Sequence, residues 1–225
     1  MNDAEIRVSD SMESISVEQL IIEGLGYFEI SCTPEAVEKL SFYVHELARW
    51  NARINLTAKR PVGWMIRELL YDAFFLGSVI RGARSALDMG SGSGILAIPL
   101  AILYERVQLF SVDRTLRKIQ FQKHVQRELK LGNLSLIHDR IESLEPLNVD
   151  ALLCKGFGAT SLILQNGGKH LNVSGTAYLL KGRTQEADLY PGFVLEDVRR
   201  YRLPGNAKEY QIFIYKKLLA GKKTS

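Results

Sequence analysis

Cysteine is scarce in this chain: only Cys32 and Cys154 occur in 225 residues. Two thiols are too few for a disulfide scaffold, and these two lack the paired spacing of a metal site. No apolar run reaches the roughly 18 residues that a membrane span requires. The N-terminus has no basic-then-apolar leader, so export is not expected and the cytoplasm is the expected compartment. Internal repeats and low-complexity tracts are missing as well. These absences set aside stapled secreted domains, membrane proteins and zinc modules. What remains is a globular composition, 46% apolar, long enough for one full core and a smaller appendage.

Positive charge is nearly absent from the first part of the chain. Residues 1–48 hold ten acidic residues against Arg7 and Lys39, a net of −8, whereas the rest carries 27 basic and 15 acidic residues, a net of +12. A basic body behind an acidic N-terminal piece suggests a polyanionic partner for the body.

The most informative segment is Leu87-Asp88-Met89-Gly90-Ser91-Gly92-Ser93-Gly94. It reads as a buried strand end entering a glycine turn, with an apolar helix following at once. Glycines allow positive φ and close ligand approach, and a helix N-terminus offers free N–H groups. Asp113 closes the next apolar run, about 20 residues on, where a carboxylate can accept from ribose hydroxyls. Dinucleotide sites usually show Gly-x-Gly-x-x-Gly. Here the spacing is Gly-x-Gly-x-Gly behind Asp88, a charge that would repel a pyrophosphate and attract an α-ammonium group. S-adenosylmethionine is therefore the expected cofactor.

Helical spacing marks 16–24, 33–50 and 61–80, the second with Thr33 as N-cap and Pro34 at its first position. Residues 51–60 read as a polar connection. The expected organisation is an N-terminal helical cap over 1–84, a catalytic unit over 85–217 and a basic tail over 218–225. In the catalytic unit, strand-like runs at 85–89, 107–112, 134–138, 149–154 and 176–181 alternate with helical patterns at 95–103, 115–131 and 159–166. Two further strands, 193–201 and 210–217, follow each other across Leu203-Pro204-Gly205-Asn206. Alternation implies a parallel sheet with right-handed crossovers, and the closing hairpin adds an antiparallel strand. The expected fold is α/β: a Rossmann-like class I S-adenosylmethionine-dependent methyltransferase with a mostly parallel seven-stranded sheet.

Several stretches together resemble the bacterial small-subunit rRNA guanine-N7 methyltransferases, also called glucose-inhibited division protein B. They are Trp50-Asn51-Ala52-Arg53-Ile54-Asn55-Leu56-Thr57, Arg67, the glycine turn running into Ile98-Pro99-Leu100-Ala101, and Gln126-Arg127-Glu128-Leu129-Lys130-Leu131. Arg140-Ile141-Glu142, Phe157 and Leu180-Lys181-Gly182 complete the set. The resemblance runs from about Leu47 to Lys217. It implies methylation of N7 of one guanine in 16S rRNA, with 16S rRNA or the small ribosomal subunit as partner; a monomer is expected.

Cofactor residues from the two readings together are Asp88, Gly90, Gly92, Gly94, Ile95, Asp113, Ile141, Glu142 and Lys155. Ile141 and Glu142 would address the adenine. Lys155 takes the basic place at the end of the fourth strand. RNA contacts are expected at Arg53, Arg67, Arg117, Lys118, Arg140 and Lys181, with Arg114 nearby and Lys59 and Arg60 in the connecting loop. No metal site is expected. Guanine N7 has an in-plane lone pair and no proton to lose, so positioning suffices and no general base is required. In keeping with this, His45, His124, His138 and His170 stand away from the glycine turn. The fourth strand runs into Cys154-Lys155-Gly156-Phe157, not into the Asn/Asp-Pro-Pro-aromatic stretch of exocyclic-amine methyltransferases.

Three departures from the family pattern stand out. Leu96-Ala97 replaces a Pro-Gly pair, Glu68 replaces a histidine that would approach a phosphate, and Cys154-Lys155-Gly156 replaces Ser-Arg-Ala. Two alternatives stay open at this stage. One is a methyltransferase for another RNA or a small molecule, the other a non-catalytic, cofactor-binding RNA-assembly protein.

Overall fold

A computed structural model describes residues 15–58, 60–80, 82–182 and 186–219. The start of the acidic leader, Lys59, and Lys222 and Lys223 of the basic tail lie outside the described residues.

Helix α1 (Val17–Tyr27) starts at a capping box in which Ser16 and Gln19 satisfy each other's backbone N–H. Helix α2 (Pro34–Asn51) is capped by Thr33, whose side chain accepts from the Ala36 N–H, as expected. The single helix expected over 61–80 is instead three pieces: α3 (Val62–Met65), a π-helical segment (Ile66–Leu70) and α4 (Tyr71–Val79). Met65, Ile66, Leu69, Leu70, Tyr71, Ala73, Phe74 and Phe75 are all buried. That is too many for one stripe at ordinary helical pitch, and the wider π-turn redistributes them around the axis.

The remainder alternates β1 (Ser85–Met89), α5 (Ala97–Leu103), β2 (Gln108–Asp113), α6 (Leu116–Leu129), β3 (Leu134–His138), β4 (Val149–Lys155), α7 (Thr160–Gly167) and β5 (Leu171–Lys181). The hairpin β6 (Phe193–Arg202) and β7 (Glu209–Lys217) follows. Among the described residues these strands form one sheet in the order β3-β2-β1-β4-β5-β7-β6, with β7 alone running against the direction of the others. This is the class I Rossmann-like arrangement. The order reverses beside β1, so the carboxyl ends of β1, β2 and β4 open a crevice where ligands bind in such sheets.

Strand β5 begins five residues earlier than the apolar run at 176–181 suggests. Its first part pairs through Leu171 with Val149, and a register shift separates this pair from the main ladder. Ser174 there has φ +64°, so Asn172-Val173-Ser174-Gly175 reads as a turn although it lies within a bulged strand.

Alternation along β1 divides the core. Ala86 joins a cluster with α1, α2, α4, α5, α6 and the hairpin residues Tyr201, Tyr210 and Ile212, whereas Leu87 and Met89 face Ile163 and Leu164 of α7. The N-terminal helices therefore share one apolar core with a face of the sheet. No helix of the described residues is long and apolar enough to cross a membrane.

Candidate active site

The glycine turn leaves β1 with Gly90, Gly92 and Gly94 at φ +69°, +62° and +75°, a conformation that L side chains rarely adopt. Gly90 N and Ser91 N donate to Val112 O at 2.9 and 3.0 Å, which ties the turn to β2. A Cβ at Gly90 would fall 2.3 Å from the Phe157 ring, whereas at Gly92 it would meet nothing nearer than Lys118 Nζ at 4.0 Å. The Gly92 edge is thus open to a ligand. Ser93 Oγ is buried with no hydrogen-bond partner among the described residues.

Asp113 stands at the end of β2 with 7% exposure. Its Oδ2 accepts from Gly92 N at 2.9 Å and its Oδ1 from Thr115 N at 2.7 Å. Lys118 Nζ lies 3.8 Å away. The carboxylate holds turn and following loop together while remaining on the wall of a cavity of about 460 Å³, a size suited to a small ligand. That wall also includes Gly90, Ile141, Glu142 and Phe157, together with Arg114, Lys118 and Arg140. Four of the nine expected cofactor residues, Gly90, Asp113, Ile141 and Glu142, therefore converge with three of the basic residues on one crevice. Glu142 receives Asn166 Nδ2 at 3.1 Å. Ile95 is half-buried and packs on the core beside α5, off the cavity wall.

Asp88 and Lys155 also stand off that wall. Asp88, expected to face an ammonium group, lies beneath the turn, 2% exposed, where Oδ2 accepts from Ala97 N at 3.2 Å. Strand alternation sends it to the α5 face, so it serves the start of that helix. Burial pushes its carboxyl up to about 7, helped by the charge of Asp113. Lys155, expected to carry the basic role at the cofactor, sends its ammonium to Asp72 Oδ2 at 2.6 Å and to Glu68 O at 3.0 Å. Asp72 is 2% exposed, also accepts from Tyr201 Oη at 2.7 Å, and needs a cation where it is buried.

Glu68 turns away from any phosphate path: its carboxylate is held by Tyr210 Oη and Asn206 Nδ2 of the hairpin. Arg67 lies against Gly205 with Nη1 buried and lacking a hydrogen-bond partner among the described residues. Arg53, Arg117 and Arg140 are exposed. Lys181 donates to Gly158 O at 3.4 Å and sits over the Phe213 ring, and partial burial lowers its pKa.

The Trp50–Thr57 stretch has a structural explanation. Asn51, 3% exposed, accepts from Leu56 N and Thr57 N and donates to Ala58 O, shaping the loop that carries Arg53. Trp50 stacks on His124, whose Nε2 lies 2.7 Å from Glu46 Oε2. None of the four histidines lines the cavity. Burial pushes the Cys154 thiol up to about 12, so it is no nucleophile at neutral pH.

Sequence reasoning missed Gln122. Wholly buried on α6, it donates from Nε2 to Gly92 O at 2.8 Å and to Ser91 Oγ at 3.0 Å, and accepts from Ser111 Oγ at 2.6 Å. An amide three residues from Ile119 and three from Val125, on the apolar face of a helix, was the available signal. Tyr43 of α2, also missed, donates to Ser93 O at 3.3 Å.

An open glycine edge, an orphaned buried hydroxyl beside it and a carboxylate on a nucleoside-sized cavity fit S-adenosylmethionine. Sheet order and site together define a class I S-adenosylmethionine-dependent methyltransferase. The chain belongs to the family described as GidB, rRNA small subunit methyltransferase G, which it matches over residues 36–192. It is 32% identical over 200 residues to the ribosomal RNA small subunit methyltransferase G of Syntrophotalea carbinolica, covering 84% of this chain and 92% of that one. The protein of that name from Pseudomonas putida is also 32% identical over 200 residues, covering 86% and 92%. Among solved structures, M. jannaschii TYW2 in complex with AdoMet superposes with a TM-score of 0.51 at 14% identity, covering 66% of this chain and 74% of that one. That likeness concerns the fold.

Proposed function

We propose that this protein, as a monomer, methylates N7 of a guanine in 16S rRNA of the small ribosomal subunit. The observation that carries the reading is the shared cavity. Gly90, Asp113, Ile141 and Glu142 meet Arg114, Lys118 and Arg140 on one wall, so a nucleoside cofactor and a polyanion can be held side by side. The relatives' names supply the substrate class.

When bound, S-adenosylmethionine would supply an electrophilic methyl on a sulfonium, with a neutral thioether as the leaving group. The chain's own task is to hold the two reactants in line. The open backbone at Gly92, with Gly90, Gly94 and Asp113 shaping the turn around it, would seat the ribose and methionine parts. Ile141 and Glu142 would seat the adenine. Lys118, Arg117 and Arg140 would hold phosphates, with Arg53, Arg67 and Lys181 further along the RNA. N7 loses no proton, so no side chain need act as a base, which accords with histidines and a thiol that stand off the cavity or are buried. Asp88 and Lys155 act from behind, through α5 and through Asp72.

The test is to incubate the protein with methyl-labelled S-adenosylmethionine and 30S subunits, free 16S rRNA or tRNA. Chemical cleavage at N7-methylguanine then maps the product. Label at one guanine of the small-subunit RNA is expected. Label in tRNA alone, or cofactor binding without transfer to any RNA, would refute the reading.

A further inference from the structure

We infer that Gln122 is a positioning residue for the cofactor turn, fixing the carbonyl of Gly92 from beneath while Asp113 fixes the N–H of the same residue. The inference rests on the cofactor reading above. Gly92 is the one glycine of the turn whose missing side chain leaves open space, so its peptide groups decide the shape that a ligand meets. Both are tied: the N–H to Asp113 Oδ2 at 2.9 Å and the C=O to Gln122 Nε2 at 2.8 Å.

The amide of Gln122 is itself locked. Its Oε1 accepts from Ser111 Oγ at 2.6 Å and its second N–H reaches Ser91 Oγ at 3.0 Å. Gln122 and Ser111 are wholly buried and Ser91 is 6% exposed, so the amide's bonds to the two hydroxyls are shielded from water, and they hold it in place for the part-buried bond to Gly92 O. Space is tight as well. A Cβ at Gly94 would come within 3.0 Å of Gln122 Oε1, so the amide also bounds the turn on its inner side. Helix α6 could satisfy its packing at this position with leucine or methionine, as it does at Ile119 and Val125. A buried amide costs free energy unless its hydrogen bonds are made. The geometry here assigns those bonds to the turn and to the β2 residue beneath it.

Gln122→Met keeps the side-chain volume and removes both donors. Expected are about a tenfold weaker Kd for S-adenosylmethionine, a raised KM for that cofactor with KM for RNA unchanged, and faster amide hydrogen exchange over residues 88–97 in the cofactor-free protein. Ser111→Ala, which frees the amide without touching the turn, should weaken cofactor binding by a smaller factor, about threefold. It keeps the inference testable should Gln122→Met fail to fold. A purely structural Gln122 would lower the melting temperature yet leave cofactor affinity and turn exchange within twofold of wild type, and that result would overturn the inference. Direct binding separates the two readings. Wild type that binds cofactor while the variants bind equally well rejects only the role of Gln122, whereas wild type that binds none rejects the cofactor reading itself.

Discussion

Asp88 shows how one residue can be legible in identity and illegible in direction. Its place before the glycines marks the turn from sequence alone, but the pleat of β1 carries its carboxylate under the turn to Ala97 N. Pleat phase depends on which face each neighbour buries, and that information is spread over the whole sheet. The same holds for Lys155, whose charge is read easily and whose partner, Asp72, is 83 positions earlier in the chain. Burial lifts the Asp88 carboxyl to about 7, from an ordinary value of 3.8. The folded protein therefore keeps, between about pH 4 and 7, a proton that the unfolded chain has released. By linkage, stability falls as pH rises through that window and is level above it. Asp88→Asn retains an acceptor for Ala97 N and removes the titration. Thermal melts of the cofactor-free variant from pH 4 to 8 should be flatter than those of wild type, with the gap largest at pH 8. Parallel curves would show that Asp88 does not titrate as described.

At the scale of elements, the strands and most helices were readable because their apolar periods are clean. Strands β1 and β3 begin and end where the residue pattern places them. The π-helical segment was not, since helical spacing survives the insertion of a single residue; only crowding of buried side chains around Ile66–Leu70 demands it. That segment and α4 are held to the sheet by Lys155–Asp72 and to the hairpin by Tyr201–Asp72 and Tyr210–Glu68. Lys155→Met would leave Asp72 buried without its cation. A loss of about 2–3 kcal/mol is expected in denaturant titration, below the figure for a fully buried pair because the lysine keeps some solvent contact. Adding Asp72→Asn, which still accepts from Tyr201, should restore most of it. If the double variant is no better than Lys155→Met alone, the ion pair is not what joins these elements.

For the whole molecule, the excess of +12 over residues 49–225 acquires meaning from the cavity, where Arg114, Lys118 and Arg140 stand beside the cofactor wall. Phosphate contacts release counterions, so log affinity for 16S rRNA should fall linearly with log salt, and Lys118→Ala should reduce that slope by about one. An unchanged slope removes Lys118 from the RNA surface. The charge was countable in the sequence, but which cations meet on one wall depends on the sheet order that gathers the ends of β1, β2, β3 and β4.

The union of Glu68 and Asp72 with Tyr201 and Tyr210 also has a consequence for biosynthesis. During translation the early helices emerge long before the closing hairpin that covers them, with Phe75 stacked on Tyr201 at 3.8 Å in the finished molecule. Until that hairpin leaves the exit tunnel, two carboxylates and an aromatic ring on the nascent chain await their partners. Native assembly of these helices is thus deferred until the hairpin has emerged, and a product terminated before it would present that unfinished surface to chaperones and proteases.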